Sequence, residues 1–171
     1  KALTEKGKEE AIRIIETTEL KNDRVLVVYL PDCHESLAGI IAGRIREKYH
    51  RPAFVLTGGE TSAKGSGRSI ESYSMYEELV KCADLMIQFG GHPMAAGLSI
   101  EEKNIEEFRR RLNVNCTLTD EELRPKIVID VPMPVSYITK ELVEQISLLE
   151  PFRSWKKQSS VSYTHLTLPT T

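Results

Sequence analysis

Three short stretches of the chain carry side chains whose types and spacing could do chemistry. The first is Phe89-Gly-Gly-His-Pro-Met-Ala-Ala-Gly97. Histidine is the side chain that exchanges a proton nearest neutral pH. Here it follows two glycines, which let another backbone or a ligand approach closely, and it precedes a proline, which biases it toward extended geometry. Ala95, Ala96 and Gly97 keep the next segment thin. The pattern describes an exposed, rigidly aimed His92 beside a close contact. The residues do not name the contact, and a histidine satisfied within the fold fits the same pattern.

The second stretch, Lys64-Gly-Ser-Gly-Arg-Ser69, lies in a polar, glycine-rich region from Gly58 to Ile70. Cations, hydroxyls and an approachable backbone together suit a phosphate. A nucleotide-fold signature is excluded. A Walker A loop needs Gly before its Lys and Ser or Thr after it, whereas Ala63 and Gly65 stand there, and the dinucleotide fingerprint needs a glycine where Ile70 sits. If residues 65 to 69 are extended, Ser66 and Arg68 share a face; a flexible connecting loop is the other reading. The third stretch, Asp32-Cys-His-Glu35, holds the residue types of a thiol hydrolase. Adjacent side chains diverge, however, and a nucleophile must hydrogen-bond its base. Capping of the following helix by Asp32 or Ser36, with His34 and Glu35 at its positive end, accounts for it better.

The elements that must position these residues alternate in type. Residues 5–19 predict an amphipathic helix, 24–30 a buried strand, 36–49 a helix with Leu37, Ile40, Ile41 and Ile45 inward, and 52–57 a second strand. Strand, helix and strand at this spacing predict a parallel crossover. A helix is predicted over 75–87, so that Gly90 and Gly91 follow a helix end, where glycine is a common terminator. A strand over 95–100 and a charged helix over 104–113 follow, then a break at 114–124. Residues 127–132 read as a strand and 139–149 as a helix, too little for a core of their own. From Arg153 onward no periodicity is sustained, and the segment reads as a non-native or disordered tail.

Composition bounds the function. The 171 residues are 40% hydrophobic and 28% charged, with a net charge of -2. That charge excludes bulk electrostatic coating of nucleic acid, which needs many Lys and Arg facing phosphates, but allows a local site. Cys33, Cys82 and Cys116 are odd in number and widely spaced, against both a disulfide framework and a zinc cage. No stretch suits a membrane span, and a reducing cytoplasm is the expected location. The start at Lys1 reads as a fragment of something longer.

The stretches 89–97 and 64–69, together with His34-Glu-Ser-Leu-Ala-Gly-Ile-Ile-Ala-Gly-Arg44, resemble the DHH-associated domain of the DHH phosphoesterase superfamily, and within it the RecJ family of single-strand-specific DNA exonucleases. The resemblance covers roughly residues 1 to 152. It implies an α/β fold with a mixed, mainly parallel sheet flanked by helices, followed by an incomplete second domain. Its divisions would be a helix leading in from an N-terminal catalytic domain at 1–20, the DHH-associated domain at 21–114, a linker and truncated start of an OB-fold domain at 115–152, and the tail at 153–171. The family pattern breaks after Phe152, where Arg153-Ser154-Trp155 replaces an expected Gly and Asn turn.

The implied activity is 5′-to-3′ hydrolysis of single-stranded DNA in repair and recombination. Mn2+ or Mg2+ would be held by the family's own N-terminal DHH domain and not by these residues. Carried over by motif, Gly90, Gly91 and His92 would contact the phosphate near the metals, with His92 stabilising charge. Arg68 and Ser69 would grip a terminal or adjacent phosphate, with Lys64 and Ser66 as lesser contacts. Two alternatives stay open: a phosphodiesterase of the same superfamily acting on oligoribonucleotides or cyclic dinucleotides, and a non-catalytic RNA-binding module.

Overall fold

The computed structural model of the chain describes residues 2–125, 131–132, 134–148 and 161–162. It divides into two units, residues 1–125 and 126–171. In the first, α1 (Ala2–Thr17), β1 (Leu26–Leu30), α2 (Glu35–Tyr49) and β2 (Ala53–Thr57) fall where the hydrophobic pattern predicts them. β1 and β2 pair in parallel, Leu26 opposite Ala53 through Leu30 opposite Thr57. Ala38, Ile41, Ala42 and Ile45 recur at helical spacing on α2 and, with Ala11 and Ile15 of α1, bury one face of these strands through Leu26, Val28, Leu30, Ala53 and Val55. The opposite face is covered by Phe54, Leu56, Met75, Leu79, Phe108 and Leu112, in which the Phe54 and Phe108 rings meet edge to face at 5.4 Å. β1 and β2 are therefore buried on both faces, which is why they read as continuous apolar runs.

Beyond β2 the structure corrects the sequence reading. The glycine-rich region is not a flexible loop: Ala63–Arg68 form β3, the middle strand of a five-stranded sheet ordered β1-β2-β3-β5-β4. β4 is Met86–His92 and β5 is Ala95–Ile100. β3 runs antiparallel to β2 and β5, and β4 runs antiparallel to β5. The sheet is mixed and helix-flanked as expected, but of its four strand pairings β1–β2 is parallel and the other three are antiparallel, so it is not mainly parallel. The parallel pair is joined by α2, a helical crossover of the length parallel pairing requires.

The helix expected over 75–87 ends early. α3 is Met75–Val80, a single 3-10 turn occupies Ala83–Leu85, and β4 begins at Met86. Backbone groups from Met86 onward pair with β5 instead of continuing the helix, a tertiary pairing that overrides local pattern. Gly90 and Gly91 thus lie inside a strand and do not terminate a helix. α4 (Ile105–Val114) buries Phe108 and Leu112 and is tied to the residues that lead into β1 by Asn113, whose amide oxygen accepts from the N–H groups of Arg24 and Val25.

Glycines serve space more than freedom in β3. A Cβ on Gly67 would lie 2.6 Å from both Met75 Sδ and Phe54 Cε1. Gly67→Ala should therefore overpack the core, with a cost of about 1 to 3 kcal/mol; a denaturation midpoint equal to that of the parent chain would show that Met75 and Phe54 yield freely.

In the second unit, β6 (Val131–Pro132) pairs in parallel with β7 (Val161–Ser162), and α5 spans Lys140–Ser147, inside the helix predicted at 139–149. The strand predicted at 127–132 is described only at its last two residues. The family break after Phe152 and the tail at 153–171 lie outside the described residues except for β7.

Candidate functional site

Helices α1 and α2 cover their face of the sheet over β1 and β2, and α2 reaches onto β3, where Gly39 lies against Ser66 and Arg68, but the sheet continues past them to β5 and β4. On that same face β3 presents Lys64, Ser66 and Arg68, because Thr57, Val55 and Ala53 are their partners on β2. β5 presents Ala95, Gly97 and Ser99, and β4 presents Gln88, Gly90 and His92. The register arranges them in rows: Arg68, Ala95 and His92; Ser66, Gly97 and Gly90; Lys64, Ser99 and Gln88. The inward set on the same strands, Ala63, Ala96, Leu98 and Ile100, is buried. Adjacent strands lie about 4.8 Å apart, so the Arg68 and His92 backbones face one another across about 10 Å with only Ala95 between. Above Gly90 a Cβ would meet nothing within 4 Å, and above Gly97 only Gly65 O at 3.8 Å. The middle row is an open floor of backbone.

His92 ends β4 at a hairpin whose geometry aims its ring. Gly91 has φ +152°, and a Cβ there would lie 2.4 Å from Ala95 O, so both backbone conformation and space require glycine. The Met94 N–H donates to His92 Nδ1 at 3.2 Å. With Nδ1 accepting, the neutral ring carries its proton on Nε2, on an exposed side chain. The hairpin is held from behind: the Ser69 N–H donates to Met94 O at 2.9 Å, and the Met75 N–H donates to Pro93 O at 3.0 Å.

Arg68 is half-buried. Its Nη1 donates to Gly67 O at 2.7 Å and to Ser66 Oγ at 3.1 Å, which leaves the Ser66 hydroxyl hydrogen to donate elsewhere. The guanidinium lies against Gly39 of α2, where a Cβ would come within 2.7 Å of Nη2. No carboxylate among the described residues pairs with Arg68. Lys64 is different: its Nζ lies 2.7 Å from Glu35 Oε2. That contact holds the Glu35 carboxyl below its ordinary range and raises the Lys64 ammonium. Glu35, Ser36, Lys64, Gln88, Gly90 and Ser99 line a cleft of about 530 Å³ at this end of the face.

The structure thus brings Lys64, Ser66, Arg68, Gly90 and His92 to one face, with Gly91 setting the turn. It does not bring Ser69 there. Ser69 is 1% exposed, and its hydroxyl donates to Tyr73 O at 2.6 Å. Strand alternation turns it away from the side that Ser66 and Arg68 share. Gly39, Gln88 and Ser99 are site residues that sequence reasoning did not single out. Ser99 would have emerged from a period-two reading of residues 95–100, and Gln88 from counting back by two from His92. At the start of α2 the cap is neither Asp32 nor Ser36 but His34, whose Nδ1 accepts from the Ser36 N–H at 3.2 Å. Burial pushes the Cys33 thiol up, the opposite of an activated nucleophile.

Among the described residues no three His, Cys, Asp or Glu side chains gather to hold a metal ion. No helix among them is long and apolar enough to cross a membrane.

Residues 22–117 match the DHHA1 domain family. The chain is 35% identical over 154 residues to the single-stranded-DNA-specific exonuclease RecJ of Bacillus subtilis, aligning 88% of this chain and 20% of that protein. It is 36% identical over 145 residues to the RecJ of Salmonella typhimurium, aligning 79% of this chain and 25% of that protein. The structure of RecJ from Thermus thermophilus in complex with Mg2+ superposes with a TM-score of 0.67 at 25% identity, over 88% of this chain and 23% of that one. The Mn2+ complex of the same enzyme gives 0.66 at 26% identity, over 88% and 22%. The chain spans a fifth to a quarter of the length of these relatives.

Proposed function

The chain belongs to the DHHA1 domain family, and from that premise we propose that it is the substrate-binding part of a RecJ-type exonuclease that hydrolyses phosphodiester bonds of single-stranded DNA from 5′ to 3′. The observation that carries this reading is the register that lines up Arg68, Ala95 and His92 across a sheet face that runs out from beneath α2 at Arg68. A phosphate seated over Ala95 would meet the guanidinium from one side and the His92 Nε2–H from the other, with the Ser66 hydroxyl adjoining. The small residues between them let it settle close to backbone. Charge-assisted donors of this kind are strong and oriented. Ser69 works from below the sheet, holding the hairpin instead of touching the phosphate.

The hydrolytic metals, Mn2+ or Mg2+, belong in this reading to an N-terminal DHH domain that closes on this face. They would supply the activated water. This chain's residues bind and orient the phosphate and meet its developing charge. The setting would be cytoplasmic DNA repair and recombination.

The test is separation and rejoining. Alone, the chain should bind single-stranded DNA weakly and cleave none of it with Mn2+ or Mg2+. Joined to a metal-bearing DHH domain of the family, it should cleave single-stranded DNA in a metal-dependent way. Nuclease activity of the purified chain alone, or a joined enzyme that ignores single-stranded DNA while cleaving cyclic dinucleotides, would overturn the reading.

A further inference from the structure

We propose that the open face carries a second phosphate subsite, built on Lys64, Ser99 and Gln88, and that Glu35 is its latch, holding Lys64 until a nucleotide strand long enough to reach that row displaces it. The inference rests on the phosphate reading of Arg68 and His92.

Three observations place the subsite. Lys64 is on the same side of β3 as Arg68, four residues away, and at roughly 3.4 Å per residue the two rows stand about 14 Å apart. A mononucleotide held at Arg68 does not span that distance, whereas an oligonucleotide does. The Lys64 row is completed by Ser99 and Gln88 from the two neighbouring strands, a hydroxyl and an amide that can both donate to phosphate oxygen. Between the rows, the Gly90 and Gly97 floor and the 530 Å³ cleft leave a clear path for the intervening nucleotide.

The latch follows from charge. Glu35 comes from the first turn of α2, and its carboxylate occupies the position beside Lys64 that a phosphate would take. Both side chains are about half exposed, 54% and 51%. A pair so open to water is held weakly, so a phosphate that also gains donors from Ser99 and Gln88 can replace the carboxylate. Glu35 therefore weakens the binding of a strand that reaches the row, which must displace it from Lys64, and leaves a ligand that stops short of the row unaffected.

The experiment uses this chain and two probes, thymidine 5′-monophosphate and a 5′-phosphorylated oligothymidylate of about six nucleotides, a length in the range single-strand grooves accommodate. Glu35→Gln should tighten oligonucleotide binding about two- to five-fold, the range an exposed ion pair spans, and steepen its log–log salt slope by about 0.7. Mononucleotide binding should not change. Lys64→Ala should weaken the oligonucleotide and leave the mononucleotide alone. In the double variant the gain from Glu35→Gln should vanish. Unchanged melting temperatures would confirm folding, since both side chains are exposed.

A gain that persists without Lys64 would mean Glu35 acts by general repulsion, and the latch is overturned. If Arg68→Ala weakens both probes while neither Glu35→Gln nor Lys64→Ala changes anything, the subsite fails and the Arg68 reading stands. If Arg68→Ala also changes nothing, or neither probe binds, both fail together.

Discussion

Arg68→Ala should weaken the proposed binding of single-stranded DNA about 10- to 150-fold, the equivalent of one lost hydrogen bond to a charged group at about 1.5 to 3 kcal/mol. The guanidinium is held still by its own strand and by α2. Gly67 O and Ser66 Oγ both accept from its Nη1, and Gly39 leaves room for the group to lie against α2. No carboxylate among the described residues neutralises it, so its charge is available to a ligand, in contrast to the Lys64 charge that Glu35 offsets. Arg68→Lys should restore only part of the affinity, because an ammonium cannot bond Ser66, the backbone and a phosphate in one planar fork. The fold should tolerate both changes: the side chain stands on the open face, and the apolar core on the other side of β3 is built from Phe54, Leu56, Met75 and Leu98. Anisotropy titration and thermal melting check the two halves of the expectation. Full-strength binding by Arg68→Ala would remove this face from the DNA path.

The parts of this site that are legible in the sequence, and the parts that are not, follow from which residues do the packing. β1, α2 and β2 announce themselves because their own side chains fill both cores. β3 does not, because its inward positions include Gly65 and Gly67, and the volume there is filled by Leu56, Leu98, Phe54 and Met75 reaching in from neighbouring elements. A strand whose buried face is partly glycine has no apolar alternation to read, and the polar half of the pattern resembles a loop. The same limit hides β4, where Met86 and Phe89 are inward but a bulge between Met86 and Gln88 breaks the period of two. Ser69 shows the converse. Motif resemblance groups it with Arg68, but adjacent strand residues face opposite ways, and the hydroxyl that accompanies Arg68 is that of Ser66. The types of residue needed for phosphate were visible from the outset. Their register depends on pairings between segments distant in the chain.

The largest effect is expected at His92, and it must be measured with the chain joined to a metal-bearing DHH domain. His92→Ala should lower kcat by about 100-fold or more with little change in KM, the pattern of a donor whose bond strengthens as charge develops in the transition state. The geometry supports that division. Nδ1 is occupied by the Met94 N–H, so Nε2–H is the atom left to meet a phosphate oxygen, and Gly91, Ser69 and Met75 fix the hairpin that carries it. A ring held this firmly costs little reorganisation when the reaction occurs. His92→Asn separates the donor from the turn. An asparagine oxygen two residues before Met94 can accept the same backbone N–H, in the manner of an Asx turn, while the shorter side chain cannot reach outward as Nε2 does. His92→Asn should therefore melt like the parent chain and still lose activity as His92→Ala does. Recovery of kcat by His92→Asn would show that the ring serves only to shape the turn, and loss of activity in His92→Ala would then follow from the hairpin alone. If both variants keep full activity, the charge that develops at the phosphate is met by some other group, and His92 has no place in the reaction.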